Sequence, residues 1–496
     1  MRIQSERKTI SRMLKYAVIL CLLLAGCKEK STDQNNSQTT AATNAEPNTP
    51  APDKTVADTN TVTSQQPVTT EQAPVTAETY INRASLCYSK GQYDDAVSNY
   101  TKAIELKPQD AVLFYNRANA YKAKSQYDKA ISDYTEAIRI NPAYIEAYYN
   151  RAIAYKTTGK YDEAVSDFTK ALEISPRLTE AYYNRGVIYL AKGQFDKAIA
   201  DFDKAIEIYP QYTMAYYDRG NAYKAKGQYD KAISDYAKAI QCDPKLDEAY
   251  YNRAIVSYQT GQRNQAISDF TKVVEIDPNY ARAYCNRGAA YITKGQYDDA
   301  VSDCNRAIEI DPNYAEAYCN RGAAYIAKGS YDKAIPDFTK AIDINPKYAQ
   351  AYYDRAVCYH KTKQLDKAIS DYDKAIALNP KDYQAYDSRG FAYGSKGQYD
   401  MAISDYTKVI ELNPKYAKAY SKRALAYYLT GEYDQAWEDV HKAQDLGLQI
   451  SKEFLDNLSK ASPPTAKAPE KVAEPNEVEI KQAKENKDDD LVLYRP

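Results

Sequence analysis

A 34-residue pattern recurs eleven times between residues 77 and 450, without an insertion or a deletion. A fixed period of this length is typical of structural repeats that stack side by side, each packing only on its neighbours. The period therefore predicts an extended repeat architecture. Positions are numbered 1 to 34 within a unit, and the units start at residues 77, 111, 145, 179, 213, 247, 281, 315, 349, 383 and 417.

Within each unit, aromatic and small residues alternate at fixed spacing. In the fourth unit, positions 4, 8, 11, 20, 24, 27 and 32 are Tyr182, Gly186, Tyr189, Ala198, Phe202, Ala205 and Pro210. This pattern resembles the tetratricopeptide repeat (TPR) family over about three quarters of the chain. The resemblance implies an all-α fold, a right-handed solenoid or superhelix of helix-turn-helix units. Small residues would let the two helices of a unit approach, and aromatic residues would fill the space between helices.

The unit also carries signals for where its helices begin and end. Glycine at position 15 predicts a left-handed residue that closes the first helix, with Ser125 and Lys363 as the two exceptions. Asp at position 18, or Asn264 in one unit, predicts an N-cap for the second helix. Proline at position 32 predicts the end of that helix. Pro336 instead falls within a second helix, where we expect a slight distortion and no break.

Two charged positions recur together along the array. Position 7 is Arg in all eleven units and position 23 is Asp in ten, with Asn99 in the first. The paired recurrence predicts an Arg–Asp ion pair between the two helices of each unit, which would set register more than stability. The alternative is two independent solvated charges.

The N-terminal segment indicates export. Several basic residues precede an apolar run over residues 17–25 that is too short to span a bilayer, as in a secretory signal peptide. The run ends in Leu24-Ala25-Gly26-Cys27, which resembles the lipobox of bacterial lipoproteins. That resemblance implies removal of residues 1–26 and lipidation of Cys27 with diacylglycerol and a fatty acid such as palmitate. In a bacterium with two membranes, Lys28 in place of aspartate then favours the outer membrane over the inner one, as the resemblance implies. The alternative is an ordinary signal peptide or an uncleaved anchor.

The segments that flank the array have different compositions. Residues 27–76 are rich in Thr, Ala, Gln and Pro, which predicts a disordered tether. Residues 450–460 predict a short capping helix that places Phe454, Leu455 and Leu458 on one face. Residues 461–496 are rich in Pro, Lys and Glu and predict disorder. Within them, residues 491–496 form a mildly apolar stretch, interpreted either as a docking tag or as a frayed terminus.

Composition argues against several functions. The chain has 66 basic and 67 acidic side chains and no basic block, so nucleic acid is an unsuitable partner. His360 and His441 lack a second His or Cys at ligand spacing, and no phosphate-binding loop or nucleophile elbow appears. The cysteines within the array lie at packing positions. The sequence therefore predicts no enzyme activity, no cofactor and no metal.

The remaining prediction is binding by the first helix of each unit. In TPR proteins positions 2, 5, 6, 9, 12 and 13 of this helix line a concave groove. Position 6 resembles the asparagine ladder that holds a peptide backbone in O-linked N-acetylglucosamine transferase, and tyrosine recurs at position 5. The candidate groove residues are Asn82, Asn116, Asn150, Asn184, Asn252, Asn286, Asn320, Tyr115, Tyr149, Tyr183, Tyr217 and Tyr251. The alternative is that these amides satisfy neighbouring groups of the chain itself.

Taken with the lipobox, the groove predicts a membrane-anchored, non-catalytic interaction scaffold of the bacterial cell envelope. Its partners would be other proteins or extended peptides, whose identity the sequence does not specify. Polysaccharide is the alternative ligand, because tyrosine-rich surfaces also stack on sugars. The sequence breaks its own pattern after Asn320, where position 6 becomes Asp, Ser and Lys. The last three units therefore serve a different partner or simply end the stack.

Overall fold

The computed structural model describes residues 76–462, which fold into helices joined by short turns, with no strand among them. The all-α class and the helix-turn-helix repeat predicted from the period are confirmed. The helices are α1 (Ala77–Ser89), α2 (Tyr93–Leu106), α3 (Ala111–Ala123), α4 (Tyr127–Ile140), α5 (Ile145–Thr157), α6 (Tyr161–Ile174), α7 (Thr179–Ala191), α8 (Phe195–Ile208), α9 (Thr213–Ala225), α10 (Tyr229–Cys242), α11 (Asp247–Gln259), α12 (Arg263–Ile276), α13 (Ala281–Lys294), α14 (Tyr297–Ile310), α15 (Ala315–Ala327), α16 (Tyr331–Ile344), α17 (Ala349–Lys361), α18 (Leu365–Leu378), α19 (Tyr383–Ser395), α20 (Tyr399–Leu412), α21 (Ala417–Thr430), α22 (Tyr433–Asp445) and α23 (Lys452–Ala461).

The helices form two compact bodies. Within the described chain, the N-terminal body comprises residues 76–327 and the C-terminal body residues 328–462. Odd-numbered helices up to α21 are the first helices of the units, and even-numbered helices are the second. In each body, helices pack on their neighbours in chain order, and some first helices of adjacent units also touch, such as α7 with α9 and α17 with α19. Contacts within a body are therefore local, as expected of stacked repeats.

The core of a unit consists of small residues facing an aromatic ring. Ala198, at position 20 of the fourth unit, is fully buried, and so is Phe202 at position 24. A Cβ atom added to Gly186, at position 8, would lie 2.8 Å from the Phe202 ring. Tyr236 approaches Gly220 equally closely in the next unit. Glycine at position 8 in these units is therefore required by an aromatic ring that leans against the first helix.

The turn after the first helix is left-handed, as position 15 predicts. The glycines at this position have positive φ, for example 76° at Gly159 and 70° at Gly227. Ser125 and Lys363 replace the glycine and adopt the same conformation, with φ of 57° and 62°. The stacking of the units thus imposes the turn even on residues whose Cβ atom disfavours it.

The prediction of an N-cap at position 18 is wrong. The second helices begin at position 17, and the residue that caps α2 is Gln92, which makes no side-chain capping bond. Asp94, at position 18, lies inside the first turn of that helix. There its charge interacts favourably with the helix dipole, and it forms an ion pair with Lys124 of the next unit. The aspartate therefore contributes to the helix start and to the junction between units.

Helix ends follow the proline signal. Helix α2 ends at Leu106, two residues before Pro108. Helix α16 runs from Tyr331 to Ile344 through Pro336 without interruption.

The last helix, α23, follows the last unit. Its residues Phe454, Leu455 and the fully buried Leu458 pack in one cluster with residues of α21 and α22. The indole of Trp437 on α22 also donates a hydrogen bond of 3.0 Å to the backbone oxygen of Ser462.

Candidate functional site

The predicted ion pair between positions 7 and 23 is confirmed. In the fourth unit, Arg185 donates from Nε to Asp201 Oδ2 at 2.8 Å and from Nη2 to Oδ1 at 2.7 Å. The Nη1 atom of the same arginine donates to Thr169 Oγ1 of the preceding unit at 2.8 Å. Each such arginine therefore joins the two helices of its unit, and all of them except Arg253 also link that unit to the one before. The pairs are Arg117–Asp133, Arg151–Asp167, Arg185–Asp201, Arg219–Asp235, Arg253–Asp269, Arg287–Asp303, Arg355–Asp371, Arg389–Asp405 and Arg423–Asp439.

These pairs are mostly buried, so their charges carry a desolvation cost. Burial raises the pKa of the Asp303 carboxyl, although hydrogen bonds and charge from Arg287 act in the opposite direction. At Asp303, burial and the nearby charge of Asp299 together outweigh the attraction to Arg287. The bidentate geometry suits a role in fixing the register of the helices, and its small contribution to stability stays a prediction.

The candidate groove residues at positions 5 and 6 contact each other across unit junctions. The side chain at position 5 of one unit meets the side chain at position 6 of the next, a contact called a rung below. In the first rung, Asn150 Nδ2 donates to Tyr115 Oη at 3.0 Å. The rungs are Tyr115–Asn150, Tyr149–Asn184, Tyr183–Asp218, Tyr217–Asn252, Tyr251–Asn286, Cys285–Asn320, Tyr353–Ser388 and Asp387–Lys422.

The amides of the first two rungs have both their donors and one acceptor site engaged within the chain. Asn184 donates to Tyr149 Oη at 3.1 Å and to the backbone oxygen of Glu180 at 2.9 Å. Its Oδ1 accepts from Lys156 Nζ at 2.6 Å. Asn150 has the equivalent set, with Lys122 as the donor at 2.7 Å. An amide group has two donor hydrogens, so a peptide carbonyl reaches these donors only if an internal bond opens.

Burial further distinguishes the candidate asparagines. Asn286 and Asn320 are only 4% and 3% exposed, so in this structure their amides offer almost no surface to a ligand. Asn150, Asn184 and Asn252 are half-buried. Binding of a peptide by these amides stays a prediction, and the internal hydrogen bonds are the competing role that the sequence left open.

The first two asparagines differ from the rest. Asn82 belongs to the first unit and has no preceding unit to supply a tyrosine. Asn116 follows a unit whose position 5 is Ile81, which has no hydroxyl group. Asn82 is exposed and Asn116 is half-buried. Of the candidate amides, these two therefore depend least on a rung and are the most suitable for direct contact with a ligand.

The candidate tyrosines serve two roles at once. The rings of Tyr149 and Tyr251 pack edge-on against the position-24 rings Phe168 and Phe270, with centroids 5.6 and 5.8 Å apart. Burial raises the pKa of Tyr149 to about 12, so its hydroxyl remains protonated at physiological pH. Tyr183 is the exception to the donor pattern, because its hydroxyl donates to Asp218 Oδ2 at 2.9 Å. The candidate tyrosines are half-buried, and their hydroxyl groups are hydrogen-bonded to the side chain at position 6 of the next unit.

Lysines at position 12 belong to this face but were not singled out from the sequence. Lys122, Lys156 and Lys224 each donate to the asparagine of the following unit. Burial lowers the pKa of Lys156, as expected for an ammonium group that is partly removed from water. The sequence contained a sign of this pairing. Where position 12 is Leu190 and not lysine, position 6 of the next unit is Asp218 and not asparagine.

The first-helix face therefore presents half-exposed tyrosine, amide and ammonium groups, with exposed glutamates such as Glu146, Glu180 and Glu248 at position 2. These groups suit recognition of a polar backbone with occasional side-chain contacts.

Within residues 76–462, no cluster of three His, Cys, Asp or Glu side chains is placed to hold a metal. No helix in that range has the length and apolarity needed to cross a bilayer. Cys27 and the predicted tether and tail lie outside the described residues.

Comparison with known proteins gives consistent matches to one repeat. A model described as tetratricopeptide repeat matches residues 145–178, 179–212, 281–314, 315–348 and 349–382, and a second with that description matches 202–234 and 371–404. A model described as TPR repeat matches residues 84–125, 118–159, 220–261, 256–295 and 390–431. Together these matches cover residues 84–431 without a gap, which is more than half of the chain.

Solved structures give partial matches. YrrB, described as a TPR protein with an unusual peptide-binding site, is 30% identical and covers 37% of this chain and 95% of its own, with a TM-score of 0.35. MamA is 31% identical over 35% of this chain and 94% of its own, with a TM-score of 0.32. A tetratricopeptide repeat protein from Parabacteroides merdae is 22% identical over 50% of this chain and 98% of its own, with a TM-score of 0.37. No curated protein matches the chain.

Proposed function

The chain belongs to the tetratricopeptide repeat family, and from that premise we propose that it is a non-catalytic interaction scaffold of the bacterial cell envelope, anchored by lipid on Cys27. Proteins of this family bind peptides or other proteins. The scaffold would hold an extended segment of a partner protein along the first-helix face. A lipid anchor and the segment of residues 27–76 would keep that face at the membrane surface.

One observation carries the binding part of the proposal: the rungs place the same kinds of polar side chain along consecutive first helices. From Tyr115 to Asn286, each junction presents a tyrosine hydroxyl beside an amide or a carboxylate. Packed helices lie about 8–10 Å apart, and an extended peptide rises about 3.3 Å per residue. One unit therefore spans about three residues of a bound segment. This repeated polarity suits a peptide backbone, which repeats its own donors and acceptors.

Affinity capture from detergent-solubilised envelope tests this part. We expect the tagged full chain to recover a defined set of proteins. Asn150→Ala combined with Asn184→Ala should reduce that recovery several-fold, because the change removes amides and frees the lysines bonded to them. If only polysaccharide is captured, the proposed protein ligand is wrong. If the double variant recovers the same proteins as the wild type, the amides of Asn150 and Asn184 do not bind them.

A matched control separates binding from weakened stacking. Thr135→Ala combined with Thr169→Ala also removes two hydrogen bonds between units, those donated by Arg151 and Arg185. These threonines lie on second helices, away from the amide row. The control should recover the same partners as the wild type, and circular dichroism should show equal helix content in all three proteins.

The anchor is tested separately. A fatty acyl chain contributes about 0.8 kcal/mol per buried methylene, so stable attachment requires two or more chains. Cys27→Ser should abolish incorporation of labelled palmitate and move the protein from the membrane fraction to the soluble one. Retention of the label, or unchanged membrane association of an unlabelled protein, would contradict lipidation at Cys27.

A further inference from the structure

An exposed apolar patch lies on the first helices of the last two units. It consists of Phe391 on α19 and Leu425 and Leu429 on α21, whose exposed fractions are 53%, 47% and 46%. Phe391 and Leu425 share position 9, and Leu429 lies one turn further along α21. In the N-terminal body, position 9 holds small or polar residues and half-buried aliphatic ones: Ser85, Asn119, Ile153, Val187, Asn221, Ile255, Ala289 and Ala323. The patch is thus a departure from the repeat in the units where the asparagine row has ended.

The Phe391 ring is held in place by its neighbours. The His360 ring stacks on it, with centroids 5.1 Å apart and planes inclined by 27°. Lys422 Nζ lies 5.7 Å from the ring centroid and donates to both oxygens of Asp387 at 2.7 Å. Leu425 follows Lys422 by three residues and so lies on the same face of α21. An ordered aromatic ring beside two leucines is a surface suited to apolar side chains of a bound segment.

Lysine side chains lie on the first helices α17 and α21 of the last three units. At position 2 the last three units carry Gln350, Gln384 and the exposed Lys418, where earlier units carry mainly glutamate. Lys361 on α17 is also exposed. The carboxylate of Asp387 is neutralised by its ion pair with Lys422. A complementary ligand would therefore combine apolar side chains with neighbouring acidic ones.

The chain itself contains such a segment. Residues 488–494 read Asp-Asp-Asp-Leu-Val-Leu-Tyr, three acids followed by four apolar side chains. We propose that residues 488–494 dock on the patch of Phe391, Leu425 and Leu429, with the aspartates directed towards Lys418. The segment lies outside the described residues, and its attachment point is Ser462, which Trp437 of the last unit holds by a hydrogen bond.

The patch is within reach of this segment. Even a flexible linker as long as residues 463–490 has a root-mean-square span of about 30 Å, whereas neighbouring helices are about 10 Å apart. A short linker of this kind gives an effective concentration in the millimolar range. A docking motif that is weak as a free peptide would therefore occupy the patch in most molecules.

The consequence for regulation rests on the proposed scaffold function. A partner with an acidic and apolar segment would have to displace residues 488–494 before it could bind to the last two units. The docking itself needs no partner. Its failure in the experiment below is therefore distinguishable from failure of the scaffold proposal, which is tested with envelope extracts.

The test is a titration by fluorescence anisotropy, with a labelled peptide of residues 485–496 as the probe. Leu491→Ser combined with Leu493→Ser in the full chain removes the internal competitor. We expect the probe to bind this tail variant at least about tenfold more tightly than the wild-type chain, because the wild-type patch is occupied. Adding Leu425→Ser to the tail variant should weaken binding by about tenfold or more. Phe391→Ser should do the same, and circular dichroism checks that both remain helical.

Control variants test where on the protein the probe binds and whether its acidic residues contribute to binding. Met401→Ser removes a side chain that is 50% exposed on the second helix α20, and it should leave binding to the tail variant unchanged. A probe with Asp488, Asp489 and Asp490 changed to Asn should bind more weakly, by several-fold at low salt. Equal binding to wild type and tail variant, no binding to either, or an unchanged affinity after Phe391→Ser and Leu425→Ser would each overturn the proposal.

Discussion

Arg253 donates to Asp269 through two parallel hydrogen bonds, Nε to Oδ2 at 2.8 Å and Nη2 to Oδ1 at 2.7 Å. In other units the remaining nitrogen, Nη1, reaches position 25 of the preceding unit, as Arg287 does with Thr271 at 3.0 Å. For Arg253 that position is Ala237, whose side chain has no acceptor. The junction between the fifth and sixth units thus lacks a link that its neighbours have.

Ala237→Thr should restore this link. A new hydrogen bond to a charged donor contributes about 1.5–3 kcal/mol to the free energy of unfolding. Chemical denaturation monitored by circular dichroism would measure the gain. Ala237→Val is the control, because valine has the shape of threonine without the hydroxyl group. Equal stability of the Thr and Val variants would show that no such bond forms.

Breaking one ion pair should destabilise the array. Asp201→Ala leaves the mostly buried guanidinium of Arg185 without its carboxylate, and we expect a loss of about 2–3 kcal/mol. The exposed pair of Lys204 and Glu207, three residues apart on α8, provides the comparison. Glu207→Ala should cost about 0.5 kcal/mol or less. Similar losses in the two variants, measured by urea denaturation, would contradict the register role assigned to the buried pairs.

Glycine substitutions in the two turns that lack glycine at position 15 should increase the stability of the protein. Lys363→Gly and Ser125→Gly relieve a left-handed conformation that costs a side-chain residue about 1 kcal/mol. Each change should therefore raise the free energy of unfolding by about that amount. The reverse change, Gly227→Ser, should lower it by a similar amount. A loss of stability in Lys363→Gly would mean that its side chain contributes a contact worth more than the strain.

The half-buried carboxyl of Asp354 makes stability depend on pH. Burial raises its pKa from 3.8 to about 7, the hydrogen bond from Gln350 lowers it, and the charge of Asp382 raises it further. Between about pH 4 and pH 7 the folded chain keeps a proton that the unfolded chain has lost. The contribution of this group to stability is therefore complete below pH 4 and is lost as the pH rises towards 7.

Asp354→Asn imitates the protonated form and should remove that dependence. At pH 8 the variant should be more stable than the wild type by about 2 kcal/mol, and at pH 4 the two should be nearly equal. Thermal unfolding at the two pH values measures the difference. Asp343→Asn, which changes an exposed carboxyl on α16, is the control. A constant difference between Asp354→Asn and wild type at both pH values would contradict the raised pKa.

The fold was predictable because its determinants repeat. Period, aromatic spacing, the glycine at position 15 and the proline at position 32 each report a backbone requirement that recurs in every unit. The Arg–Asp pair was also predictable, since positions 7 and 23 recur together. The role of Asp94 was missed because the sequence does not specify where the second helix starts. A shift of two residues separates an N-cap from a first-turn position.

From the sequence, only the face of the first helix that carries the candidate site could be predicted, and not the contacts between its residues. The resemblance to the TPR family implies that positions 5 and 6 both face the groove. That Asn150 meets Tyr115 depends on how far one unit is displaced along the next, and a pattern that repeats both residues in every unit contains no such information. The departures were more informative. Ile81 before Asn116 marks a junction without a tyrosine, and Phe391 and Leu425 at position 9 mark the units where the asparagine row has ended.

The most direct test of the central claim is photo-crosslinking from the first-helix face in cells. A photoreactive amino acid in place of Ile153, a half-buried position-9 residue on α5, should yield discrete covalent adducts with other proteins. The same amino acid in place of Lys170, which is exposed on the second helix α6, should yield none. Equal protein adducts from both sites, or none from Ile153, would contradict the assignment of this face as the binding surface.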